Sequence, residues 1–412
     1  MSDALGGGQE MMPIQAPVTP LSQHGRLAWL DGLRAYAIVG VILMHSSFFV
    51  YSPREHVSTF ESGVQTFALT GQYGVQLFFV ISALTVFFTL GQFPFSWATF
   101  RGWLIKRYFR IAPLYYLAIP FYFVMNEAEN YGRVRFHKLP HPLGTPFDAL
   151  LNVLFVHAWS PNAINSIVPG GWSIGIEMMF YLLAPVFFWI LWRGRTSYIV
   201  LPLVAIAGVW LTRWLAGGTV FDDTYFYFWL PTELPVFLTG ILLCRLCRSW
   251  LFNTLPVPRY AVLVAVSVCL PSLALGCLFG VVGSWNNGFA PAILGVGFAA
   301  VIVLARGPLQ MAFSNPLAVW LGRRSYSMYI LHFSVLYVMR SLDGVLRLTM
   351  RVPVVVALAA AAVLATAITA WMANFTMSWI EEPGNRLGRK LAGRAVRNAL
   401  EAATGVMRST NA

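Results

Sequence analysis

Apolar runs separated by short polar segments recur from residue 30 almost to residue 380. They centre on 30–50, 73–91, 108–125, 174–192, 198–214, 228–246, 260–280, 289–305, 324–341 and 353–379. A helix rises 1.5 Å per residue, so about 20 apolar residues cross the hydrocarbon core of a bilayer. The runs therefore predict an all-α fold, a polytopic membrane helical bundle of about ten transmembrane helices. The stretch 148–158, DALLNVLFVHA, is apolar but too short to cross, and is expected to form a re-entrant or interfacial helix. Residues 1–25 are polar with scattered Gly and Pro, and are expected to form a disordered cytoplasmic tail. A membrane-embedded unit is expected over 26–384, and a basic amphipathic tail on the inner leaflet over 385–412. Pro383 is expected to stop the last spanning helix. Further apolar runs follow the first, so no cleavable signal peptide is expected.

Composition sharpens this. Charged residues are 11% of the 412, against about 25% in soluble domains. Hydrophobic residues are 58% and the mean hydropathy is +0.65, which excludes a disordered chain, a collagen and an ordinary soluble enzyme. The net charge of +12 is scattered between apolar stretches, so it reports topology, and no nucleic-acid partner is expected. With both termini inside, 19 of the 28 Lys and Arg fall on inner segments and 8 on outer ones. Counting 148–158 as a span would carry Arg193, Arg195, Arg245, Arg248 and Arg259 to the wrong face. The reading is a multi-pass protein of the cell inner membrane with cytoplasmic termini. Cys244, Cys247, Cys269 and Cys277 lie in or beside apolar stretches and read as packing residues.

Ionisable residues inside spans cost a few kcal/mol unless paired or hydrated, so they carry the functional signal. The first helix holds Asp31, Arg34 and His45. Asp31 and Arg34 are three apart and pair on one turn; eleven residues from Arg34 the helix returns to within about 20°, placing His45 on the same face and about 16 Å further along. Lys106, Arg107 and Arg110 mark the inner end of the third span, where the Arg forks suit a phosphate clamp and topology alone is the plainer reading. Glu177 enters an otherwise apolar span behind Gly170, Gly171, Trp172 and Ser173, and needs an Arg, a His or a water-filled cleft as partner. Ser325, Tyr329 and His332 share a late helix face, and Glu381 and Glu382 are expected to cap or pair with inner Arg residues. His137, His141 and His157 in the loop 126–172 have no compact metal spacing, and no metal is expected.

Together these segments resemble the acyltransferase-3 family of membrane-bound acyltransferases. The opening LDGLRAYAIVGVILMH is similar to the family's first helix, with Arg34 and His45 at its Arg-to-His spacing. Arg107 and Arg110 match its Arg-x-x-Arg motif, and Trp172, Ser173 and Glu177 its Trp-Ser-x-x-x-Glu segment. LGRRSYSMYILHF, with Tyr326 and His332, resembles its late element, and IEEPGNR its closing Glu-Pro. The resemblance implies ten spans and transfer of an acyl group, acetyl first among the candidates, from cytoplasmic acyl-CoA to a hydroxyl of an envelope or exported carbohydrate or glycolipid. It implies His45 as the catalytic His with Arg34 as partner, and Arg107 and Arg110 as acyl-CoA contacts; the reading of the residues themselves adds Asp31 and Glu177 to the catalytic group and Lys106 to the acyl-CoA contacts. Trp172, Ser173, Tyr326 and His332 take supporting or substrate-facing roles. Many members carry a further soluble domain after the last span; residues 385–412 do not form one, so the core is expected to act alone or with a separate partner. The alternative from another class is a multi-span secondary transporter with a buried His/Arg/Glu site, weakened by the lack of an internal repeat.

Overall fold

A computed structural model describes residues 28–51, 58–92, 96–135, 144–191, 197–215, 225–253, 255–278, 289–342 and 351–409. The expected tail 1–25, His137, His141 and the loop cations Arg54, Lys138, Arg193 and Arg195 lie outside them. The described residues are helical with no strand. In chain order the helices are α1 (Ala28–Tyr51), α2 (Thr59–Leu69), α3 (Gly74–Leu90), α4 (Trp97–Arg135), α5 (Pro146–Val153), α6 (Gly171–Leu191), α7 (Ser197–Leu215) and α8 (Leu230–Leu251). They continue as α9 (Arg259–Cys277), α10 (Ala290–Arg306), α11 (Gln310–Phe313), α12 (Pro316–Arg323), α13 (Ser325–Ser341), α14 (Val354–Thr376) and α15 (Glu382–Ser409).

A helix occupies each of the ten predicted positions. Among the described residues, eight helical segments are long and apolar enough to cross a membrane, and α10 is a shorter apolar helix of 17 residues. The α13 helix is also 17 residues and carries the Ser, Tyr and His of the late motif. The chain is thus a multi-pass helical membrane protein. The 148–158 segment folds as the eight-residue α5 and a 3-10 turn at His157–Trp159, far short of a span. Thr145 and Asp148 cap α5 reciprocally, which satisfies its first backbone donors.

The helices divide into an inner set and a shell. More than half of the most apolar stretch of α1, α3, α6 and α8 is buried, whereas α7 and α9 turn most of theirs outward, towards lipid. Small residues let the inner backbones touch. A Cβ at Gly32 would fall 1.7 Å from the Phe313 carbonyl, and one at Gly322 1.7 Å from that of Asp31. Only glycine admits this approach of α1 to α11–α12, and it brings Arg323 to Asp31.

Pro383 does not stop the last helix. The chain runs from α14 through a wide π turn, Met377–Glu381, straight into α15, with Pro383 in the first turn of the new helix, where a missing N–H costs little. The α15 helix packs along α4. There Pro113 leaves the Phe109 carbonyl without its helical donor, and Gly384 packs against both residues.

Candidate active site

The third-span cations sit on α4 as the spacing predicts. Lys106 is exposed, while the Arg107 guanidinium lies over the Trp103 and Tyr181 rings at 5.6 and 5.8 Å, a cation–π contact with both. With Thr89, Trp103 and Arg110 they line an open groove, closed on its far side by α15.

Arg110 also lines an interior cavity. Its walls come from α1 (Arg34), α3 (Phe78, Ser82), α6 (Ser173, Glu177, Tyr181) and α13 (Ser325, Tyr326, Tyr329). Glu177 finds neither an Arg nor a His as its direct partner. Its carboxylate accepts from Ser82 Oγ and Tyr181 Oη, both at 2.5 Å, with Arg34, Arg107 and Arg110 near enough for their charges to act on it. Arg34 donates to Asp31 at 2.9 Å, and Arg323 approaches the other Asp31 oxygen at 3.5 Å. A small polar vestibule beside them includes Asp31, Arg34, Arg110, Arg323 and Glu381. Glu381 accepts from Ser327, while Glu382 pairs with Arg386 at 3.4 Å.

The cavity wall reaches Tyr329, whose ring centroid is 5.7 Å from that of His332. Tyr329 accepts from Ser173 at 2.8 Å and donates to the Gly170 carbonyl at 3.0 Å. Gly170 has φ +72°, a conformation that favours glycine, and a Cβ there would lie 2.9 Å from the Tyr329 hydroxyl. His332 is fully buried and His45 half-buried, and their rings meet: His332 Nε2 is 3.3 Å from His45 Nδ1. The tautomers follow from the carbonyl partners. Carbonyls only accept, so His332 Nδ1–H donates to Tyr329 at 2.7 Å and His45 Nδ1–H donates to Val41 at 3.0 Å. In the neutral pair the single His45 Nδ1–H is shared, with the Val41 carbonyl the nearer acceptor and His332 Nε2 the second at 3.3 Å, and the lone pair of His45 is left on Nε2.

A third His organises the entry to α6. His157 is fully buried and donates through Nε2 to the Gly171 carbonyl at 2.9 Å; the Tyr115 hydroxyl, 3.2 Å away, donates in turn to Asn152 Oδ1 at 2.7 Å. Burial pushes the His157 imidazole below its ordinary pKa, so it sits neutral. This network ties α4 and α5 to the turn that aims Ser173 and Glu177.

A family profile described as an acyltransferase domain matches residues 27–372. The chain belongs to the acyltransferase-3 family. Among the relatives, the peptidoglycan O-acetyltransferase OatA of Listeria monocytogenes is 27% identical over 336 residues, covering 74% of this chain and 49% of its own length. A Staphylococcus aureus (strain COL) protein named "Putative O-acetyltransferase" is 26% identical over 344 residues, covering 76% and 52%. A Bacillus subtilis protein named "Putative peptidoglycan O-acetyltransferase" is 23% identical over 352 residues, covering 76% and 49%. The chain thus spans about half the length of the curated relatives it matches. No solved structure matches it. Family membership makes the chain a membrane protein of the acyltransferase class and does not favour the transporter alternative.

Within this acyltransferase fold, the structure gathers Arg34, Arg110, Ser173, Glu177 and Tyr326 around one cavity. Asp31 and Arg34 pair as their spacing predicts, but His45 meets His332 and not Arg34. Trp172 is not in the cavity wall; it packs behind it on Phe79 and on Phe228, at centroid distances of 6.1 and 4.8 Å. Sequence reasoning left out Ser82 and gave no role to Tyr181 or Tyr329. The latter two stand at helical spacing from motif residues, Tyr181 four after Glu177 and Tyr329 three before His332, and that signal was available. Ser82 lies 95 residues from Glu177, in a helix whose own pattern offers no such clue.

Proposed function

We propose that the protein transfers an acetyl group from acyl-CoA to a hydroxyl of a cell-envelope or exported carbohydrate. The observation that carries this reading is the shared position of Arg110, which lines the basic groove and the interior cavity together. The CoA phosphates lie against Lys106, Arg107 and Arg110, and the thioester enters past Arg110 towards Tyr329 and the His pair. The acceptor reaches His45 from the opposite end of the bundle.

His45 Nε2 takes the acceptor proton as the hydroxyl oxygen attacks the thioester carbonyl, and the CoA thiolate leaves. His332 orients His45 by accepting from its Nδ1–H. The imidazolium formed in the step strengthens that bond. Arg34, held by Asp31, and Arg110 line the cavity on the donor's path and hold positive charge there, towards the phosphate end of the donor. Glu177 offsets those guanidinium charges when the site is empty.

Purified protein given labelled acetyl-CoA and a polysaccharide acceptor should release free CoA and label the acceptor. Release of CoA in neither the presence nor the absence of acceptor would remove the reading. In the cell the protein is placed in the inner membrane, with both termini and the basic groove cytoplasmic. Cysteines introduced near Asn130 should then react with an impermeant reagent from outside, and those near Ser249 should not.

A further inference from the structure

The α15 helix lies beyond residue 372, where the family match ends, yet it forms one wall of the basic groove. Asn385, Arg389, Ala392, Gly393 and Val396 line it opposite the α4 cations. The seating of the helix explains how. Gly384, Gly388 and Ala392 recur at every fourth position, are buried, and lie in the seam with α4. A Cβ at Gly388 would fall 2.6 Å from Phe109 Cβ, and one at Gly384 2.7 Å from Pro113 Cγ. That register sets Arg389 beside the seam, at the groove. Gly393 is different: no heavy atom lies within 4 Å of a Cβ built there, so this lining position faces open space.

The geometry points to α15 as the second wall of the donor site, with Arg389 joining Lys106, Arg107 and Arg110 to bind the phosphate groups of CoA; this rests on the acyl-CoA reading above. Four cations line the groove and no carboxylate does, which suits a ligand carrying several phosphate charges. An anionic phospholipid headgroup offers the same chemistry, so the test separates the two.

Equilibrium binding of CoA would be measured on the full chain in neutral detergent and in nanodiscs of phosphatidylcholine with and without phosphatidylglycerol. Arg389→Gln should weaken CoA binding about tenfold in all three settings. Gly393→Phe should weaken it at least as much, because the ring starts from open space and obstructs the groove without a clash inside the protein. Arg394→Gln removes the same charge from an exposed position outside the groove lining, and should leave CoA binding unchanged. Wild-type binding that neither Arg389→Gln nor Gly393→Phe reduces would overturn the inference and leave the donor reading standing. So would a loss confined to phosphatidylglycerol nanodiscs, which assigns the groove to a lipid headgroup, or an equal loss in Arg394→Gln. Wild-type protein that binds no CoA would overturn the donor reading and the inference with it.

Discussion

Glu177 and Glu233 are both carboxylates near the starts of long apolar helices, and one faces a cavity while the other is sealed in a packed seam. Glu177 accepts two short hydrogen bonds from hydroxyls and shares its cavity with Arg34 and Arg110. Glu233 is fully buried on α8 and accepts only from the Gln76 amide of α3, at 2.9 Å. Its second oxygen and the Gln76 carbonyl oxygen have no protein partner among the described residues. Around it α3 and α8 pack tightly: Phe79 stacks on Phe237 at 4.5 Å, and a Cβ at Gly240 would lie 2.5 Å from the Val80 carbonyl. The same side chain thus lines a polar cavity in one place and fastens two helices together in the other. An ionisable residue in a span marks a functional site when hydrogen-bond donors, opposite charges and open volume converge on it, and fixes helix register when they do not.

The largest effect should come from the histidine end of the cavity-bearing region. His45→Ala should lower acetyl transfer by about 10³-fold or more while the protein still inserts and purifies folded, whereas His332→Ala, which removes only the orienting acceptor, should keep part of the activity. Near-normal turnover in His45→Ala would take this residue out of the mechanism.

The two carboxylates give the direct test of the contrast. Glu177→Gln should cost about 100-fold in transfer rate, and Glu233→Gln should stay within about twofold, because an amide can still pair with Gln76. Similar losses at both positions would break the distinction between chamber and seam.

Smaller effects should separate the groove from the chamber. Replacing Arg107 and Arg110 together with Gln should raise the acyl-CoA requirement about tenfold and leave acceptor dependence nearly unchanged; Arg110→Lys should also be impaired, since an ammonium lacks the planar fork. Equal weakening of donor and acceptor dependence would point instead to a structural role at the helix end.

The smallest effect is on stability. His157 is held neutral by burial, so below about pH 6.5 the unfolded chain binds a proton that the folded one does not. Its contribution is complete above that pH and is lost progressively as pH falls. The thermal unfolding midpoint should drop as pH falls below about 6.5, and His157→Gln should flatten that slope.

Much of the architecture was legible in the one-dimensional pattern. Run length and hydropathy located ten helices, and the shortness of 148–158 separated α5 from them, because crossing a bilayer depends on consecutive residues alone. The Asp31–Arg34 pair and the Arg107–Arg110 register were equally local, set by helix geometry within one turn. Pro383 shows the limit of local rules: a proline reads as a stop, and only the π turn before it reveals a helix that continues and docks on α4.

The partners of the buried polar groups were decided by tertiary structure. His45 meets His332 across 287 positions, Ser82 meets Glu177 across 95, and Gln76 meets Glu233 across 157. Each span could be recognised on its own, because its contacts with lipid and its internal hydrogen bonds lie within one segment. Which helix faces which depends on packing, through glycines such as Gly32, Gly322 and Gly240 whose close approaches have no counterpart in hydropathy. The sequence therefore determined the pattern of apolar helices and nominated the candidate site residues. Packing between distant segments decided that Glu177 sits in a chamber, Glu233 in a seam, and α15 along the groove.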